Sequence, residues 1–171
     1  MTLEQLIQIG VHWGDLAAVD SHFAAIGIKD LSGIVHLKAA FIALSNVADL
    51  EPTLRSTYKT HREPAELVKP LAKNLAFAKY LRNKFVGHIH PQLVAKAIER
   101  QPIFRHAPGR MDDPRFVLLV NLWQLETTIN TYVEGNGAHK VFDTETDLIY
   151  PPDWERFLKS QFAALSRTFA C

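Results

Sequence analysis

The chain has 171 residues, of which 47% are hydrophobic, 22% charged and 10% aromatic. That length suits one domain, able to bury roughly two-thirds of its unfolded surface, whose core needs no disulfide or metal staple. The single cysteine, Cys171, excludes a disulfide framework and a cysteine-rich zinc site. The longest unbroken apolar run, Ala39 to Leu44, falls far short of the ~18 residues of a membrane span. The N-terminal Met1-Thr2-Leu3-Glu4-Gln5 lacks a basic, then apolar, leader pattern, so a soluble, cytoplasmic protein without a signal peptide is expected.

A net charge of +1 hides a segregation along the chain. Between Arg55 and Arg110 stand twelve basic side chains against three acidic ones (+9), and the remainder holds seven against fifteen (−8). Segregated charge hints at a polyanionic partner. The alternative is that folding interleaves the two sets, because a basic segment need not form a basic face.

The pattern predicts an all-α bundle of five or six helices, a single helical domain over residues 1–171. Thr2 with Gln5 reads as a capping box opening the first helix. Leu16, Val19, Phe23 and Ile26 continue its apolar stripe towards a stop at Gly27. Asp30 suits the N-cap of a second helix carrying Ile34, Leu37, Phe41, Leu44 and Val47. Pro52 predicts an end or kink at Glu51. A third helix is expected from near Pro64, with Leu67, Leu71, Leu75, Ala78, Leu81 and Phe85 on one face. Pro70 allows a later start, and Gly87 closes the helix. Pro91 opens a short helix through Arg100, and Gln101 to Met111 reads as a loop and turn. Asp112-Asp113-Pro114 starts a fifth helix with Leu118, Leu122, Leu125, Ile129 and Tyr132, ended by Gly135-Asn136-Gly137. Between His139 and Tyr150, Val141-Phe142 and Leu148-Ile149-Tyr150 predict a short β-hairpin. Pro151-Pro152-Asp153 leads into a last helix carrying Trp154, Phe157, Phe162, Leu165 and Phe169.

Several chemistries lack their residues. There is no phosphate-binding loop ending in Lys-Ser or Lys-Thr, no Gly-x-Ser-x-Gly elbow, and no glutamate with a histidine three residues on. Eight histidines are present. His22 and His36 lie on or beside apolar stripes and read as core or boundary residues. His88 and His90 stand two apart in a segment biased to be extended by Pro91, so both point the same way. Such a pair can chelate a metal, with His106 as the best third ligand; no carboxylate lies close in sequence, and neither a metal nor another cofactor is expected.

The most informative stretch is Tyr80-Leu81-Arg82-Asn83-Lys84-Phe85-Val86-Gly87-His88. Arg82 sits at the edge of the apolar stripe, where packing would hold its planar fork for a phosphate. A helix stopped at Gly87 lets the chain turn His88 back towards that guanidinium, and an imidazole titrating near neutrality suits phosphodiester cleavage. An arginine followed after five residues by histidine also occurs at Arg55–His61 and Arg100–His106, but only Arg82 is followed by asparagine at the end of a strongly amphipathic helix.

This segment resembles the signature of the HEPN superfamily, all-α domains marked by arginine, four to six residues, then histidine. The resemblance rests on Arg82, Asn83 and His88. It implies a metal-independent endoribonuclease of the toxin–antitoxin or abortive-infection type, acting as a homodimer in which two copies of the motif form a composite site. RNA is then the expected partner, with an antitoxin or regulatory protein as a further one. Lys69, Lys73, Tyr80 and Lys84 share a helical face beside the motif. They read either as a phosphate-tracking stripe with one aromatic for base stacking or as a solvated face. The rival reading is a non-enzymatic helical interaction or regulatory module, an inactive HEPN-like domain with a basic binding face.

Overall fold

The computed structural model describes residues 1–60, 65, 66 and 68–163. Among the described residues the protein is all-α: helix accounts for 77%, in seven helices, above the five or six expected. Six have their bounds among the described residues: α1 (Leu3–Ala25), α2 (Leu31–Thr60), α3 (Ala72–Leu81), α4 (Pro91–Arg100), α5 (Pro114–Asn130) and α6 (Pro151–Leu158).

The local starts follow the side chains that cap them. Thr2 and Gln5 form the reciprocal capping box of α1. Asp30 accepts the Ser32 and Gly33 amides at the head of α2, and Asp113 accepts the Arg115 amide at the head of α5. Two glycines make the α1–α2 corner possible. Gly27 turns with φ +69°, and a Cβ on Gly33 would stand 2.9 Å from the Ile28 Cα, so only glycine lets α2 start this close to the corner.

α2 runs through Pro52 to Thr60 rather than ending at Glu51. The proline removes one backbone donor, but the helix beyond it is held from both sides. Thr53 Oγ1 donates to the Leu50 carbonyl at 2.7 Å, and Gln5 Nε2 of α1 donates to the Thr53 carbonyl at 3.1 Å. The same helix has the length and apolarity of a membrane span over an 18-residue window, as a buried core helix also does. Its inner residues Ile34, Leu37, Ala40, Phe41 and Leu44 are all at most 2% exposed.

In the region of the expected third helix, Ala65, Glu66 and Val68 are helical. Pro64 and Leu67 lie outside the described residues; a 3-10 turn, Lys69–Leu71, then leads into α3. The segment after α4 is a 3-10 helix, Pro102–Gly109, where a loop was expected. Proline at its head and Pro108 within it fit the tight turns of that helix while leaving few apolar residues to bury. α5 stops at Asn130, before Gly135-Asn136-Gly137. Leu165 and Phe169 lie outside the described residues, and Phe162 falls in a π turn, Lys159–Ala163, that follows α6.

No β-hairpin forms between His139 and Tyr150, and among the described residues no strand is present. One antiparallel bridge joins Val133 to His139 around the glycine turn. Val141-Phe142 and Leu148-Ile149-Tyr150 do not pair with each other because side chains take their amides. His139 Nδ1 accepts from Val141 and Phe142 at 3.0 and 2.9 Å. Glu126 Oε2 accepts from Leu148 at 3.0 Å.

The main core gathers Leu37 and Phe41 of α2, Phe77 and Leu81 of α3, Phe85, Leu125 and Ile129 of α5, Phe142, Leu148, and Phe157 of α6. Burying each such side chain contributes roughly 1.5–3 kcal/mol. A second cluster joins Leu16 of α1 to Ala43 and Leu44 of α2 and to Leu71, Leu75 and Ala78. α1 is the least committed helix. Its Leu3, Leu6, Ile7 and Val11 are all more than half exposed.

Candidate active site

The Arg82–His88 segment begins where α3 widens. Leu81 and Phe85 are 0% and 2% exposed and pin both ends of the turn in the core. Between them the backbone winds as a π turn, Arg82–Val86, closed by the Gly87 amide donating to the Arg82 carbonyl at 2.7 Å. Such turns occur mostly as single insertions in α-helices and often at functional sites. Gly87 ends the helix with ordinary φ of −75°, and His90 is extended ahead of Pro91.

Arg82 is half-buried, and its Nη1 donates to Asn83 Oδ1 at 2.7 Å. That bond orients the guanidinium without neutralising it, because an amide carries no charge. Asn83 and His88 are exposed. Among the described residues Arg82 and His88 share no hydrogen bond, and neither is tied into the core by one. The turn therefore presents a full cation, an amide and an imidazole on seven consecutive residues (82–88), all available to a ligand.

The flanking basic residues divide. Lys69 and Lys73 are exposed and Lys84 is half-buried, and none makes an ion pair among the described residues. Lys69 also lines a groove of about 590 Å³ between the C-terminal half of α2 and α3, with Arg55, Tyr58, Leu75 and Lys79. Tyr80 is committed instead. Its hydroxyl lies 3.0 Å from Thr131 Oγ1 and its ring packs on Tyr132 with centroids 4.6 Å apart. Lys79 pairs with Asp49 and so contributes no free charge.

The histidines take separate paths. His22 and His36 stack between α1 and α2 with centroids 3.7 Å apart, and both are half-buried. The His90 Nδ1 atom is buried without a hydrogen-bond partner. His88, His90 and His106 do not assemble with any carboxylate into a group of three metal donors among the described residues.

Three titratable groups escaped the sequence reading. His139 donates from Nε2 to the Ile129 carbonyl at 2.8 Å while Nδ1 accepts two amides, which fixes the neutral Nε2-protonated ring. Burial pushes its pKa down, as both of its accepted bonds require. Glu126 on α5 is 9% exposed, and burial pushes its carboxyl up despite the Leu148 amide. Lys38 of α2 donates to Asn121 Oδ1 at 3.0 Å and lies 4.9 Å from the centre of the Phe85 ring. The one sequence signal for Lys38 was its place beside Leu37, at the edge of an otherwise apolar stripe.

No protein-family model, curated protein or solved structure matches this chain.

Proposed function

We propose that the protein is a metal-independent endoribonuclease of HEPN type, working in the cytoplasm as a homodimer with a composite site. The observation that carries this reading is the π turn. It holds the Arg82 guanidinium half-buried against Asn83 and leaves His88 exposed six residues later. In this reading the ribose 2′-hydroxyl attacks the adjacent phosphorus, the 5′-oxygen of the next nucleotide leaves, and a cyclic phosphate remains. His88 moves the proton as general base or acid. Arg82 stabilises the charge building on the non-bridging oxygens, where a positioned donor contributes roughly 3 kcal/mol. Asn83 orients the guanidinium, and Lys69, Lys73 and Lys84 hold the backbone electrostatically. DNA, lacking the 2′-hydroxyl, binds without being cut.

The test is RNA cleavage in EDTA by the natural protein, Arg82→Ala and His88→Ala. Each substitution is expected to lower the rate by about 100-fold or more. Activity surviving both, or vanishing with EDTA, overturns the mechanism. Light scattering showing a monomer over a wide concentration range overturns the composite site.

A second reading has its own observation. The exposed Leu3, Leu6, Ile7 and Val11 on α1 form an apolar face of the kind that marks interaction sites. A non-enzymatic interaction or regulatory module would use such a face, bind an antitoxin-like or other protein partner, and cut no RNA pool.

A further inference from the structure

A half-buried ammonium is costly unless something balances it, and the usual balance is a carboxylate. Lys38 has none. Its contacts are a neutral amide oxygen, Asn121 Oδ1 at 3.0 Å, and the face of the Phe85 ring, 4.9 Å to the centroid. Burial alone holds its pKa below the ordinary lysine value, with no charged group contributing. Both of these partners are themselves held in place. Asn121 is fixed by its own bond to the Val117 carbonyl at 2.9 Å, and Phe85 is 2% exposed. Three elements, α2, α5 and the π turn, thus hold one cation whose charge nothing in the described residues neutralises.

Phe85 lies on the π turn that carries Arg82 and Lys84. A cation fixed against this turn, oriented but unneutralised, has the properties of an oxyanion subsite. Its remaining N–H bonds can be given to a phosphate oxygen without breaking the bond to Asn121, because an ammonium has three donors. We propose that Lys38, held by Asn121 and Phe85, is a phosphate-binding group that seats the RNA backbone against the Arg82–His88 turn. This rests on the ribonuclease reading for the RNA, while the oxyanion subsite stands on the Lys38 geometry.

The full chain is titrated with a 2′-O-methyl RNA pool, which cannot be cleaved by 2′-hydroxyl attack, at several salt concentrations. Lys38→Met is expected to weaken binding about 3- to 10-fold at low salt and to reduce the log–log salt slope by ~0.7, the share of one phosphate contact on a single strand. Lys38→Arg restores most of that slope. A packing role alone would change melting temperature and leave the slope untouched. Asn121→Asp guards against misfolding of the methionine variant. It keeps the side-chain shape, places a carboxylate on Lys38, and is expected to give the same loss of slope. A natural slope in folded Asn121→Asp or Lys38→Met overturns the proposal. Inorganic phosphate separates the subsite from the substrate. Thermal stabilisation by phosphate, lost in Asn121→Asp, supports the oxyanion site even if the natural protein binds no RNA, a result that overturns the RNA reading and the role of Lys38 in it. Absence of that stabilisation in the natural protein overturns the subsite itself.

Discussion

Two non-α segments of this protein are built in opposite ways. The loop from Thr131 to Tyr150 has almost no regular structure, yet side chains take several of its backbone groups. Asn130 clamps Thr146 through both its amide atoms at 2.8 Å, Glu126 takes the Leu148 amide, and His139 takes two more. The turn from Arg82 to His90 follows a helix and is anchored by Phe85, but apart from the Arg82–Asn83 bond its polar side chains make no hydrogen bond among the described residues. Buried polar groups that find partners build a unique core. Exposed polar groups on a rigid turn, with no partner to lose, are what a ligand site requires. Irregularity alone therefore does not make a candidate site here; unspent hydrogen-bonding capacity on a pinned backbone does.

The sharpest way to break the comparison is to remove the hub of the first segment. His139→Ala leaves the Val141 and Phe142 amides without their partner, while the Ile129 carbonyl keeps the Tyr132 amide. At roughly 1–3 kcal/mol for each unsatisfied group, reduced because water reaches a half-buried site, the expected loss is about 3 kcal/mol. Urea unfolding monitored by tryptophan fluorescence measures it. A loss below about 1 kcal/mol would mean that the loop is held by Phe142 and Leu148 burial, and the contrast between the segments would fade.

A pH scan of stability tests the same loop with a smaller effect. His139 has a folded pKa lowered from the ordinary 6.5, chiefly by burial. The unfolded chain then binds more protons, so stability is complete above pH ~6.5 and falls as pH drops through that value towards the folded pKa. Glu126 is shifted the other way. Its folded pKa is raised from the ordinary 4.5 by burial, so its contribution is present at acid pH and is lost as pH rises through 4.5 towards the folded value. Opposed slopes predict a shallow profile for the natural protein. His139→Gln is expected to flatten the limb near pH 6 and Glu126→Gln the limb just above pH 4.5. Unchanged limbs in both variants would show that neither shift is coupled to folding.

The helices were legible because their signals are local. Thr2 with Gln5, Asp30, and Asp113 ahead of Pro114 are caps that act within a few residues, and the apolar stripe of α2 faces the core as its period requires. Pro52 did not end the helix, because its preference is also local, while the bond that supports the chain beyond it comes from Gln5, 48 residues away. The hairpin failed for the same reason. Val141-Phe142 and Leu148-Ile149 have the apolar character of strands, but Glu126 and Asn130 capture their loop from 22 and 16 residues away. At the candidate site, Arg82 and Asn83 were visible as neighbours in sequence. Lys38 was not, because its contact with Asn121 spans 83 residues. Tyr80 fell on the basic face by spacing, but the contact that occupies its hydroxyl, Thr131, is 51 residues distant.

The smallest expected effect is the most discriminating. Arg82→Ala and His88→Ala should each change unfolding free energy by no more than about 0.5 kcal/mol, the range of surface substitutions that break no buried contact. Of hydrogen bonds, Arg82 loses only the one to exposed Asn83, and His88 has none to lose among the described residues. The packing of the turn survives both, because Leu81 and Phe85 supply it and the Gly87 amide closes the backbone. Stability measured under the conditions of the cleavage assay therefore separates two causes of lost activity. A variant as stable as the natural protein but inactive on RNA has lost chemistry. A destabilisation of 2 kcal/mol or more in His88→Ala would instead place that imidazole in the same structural role as His139 and remove the ground for treating the turn as a site.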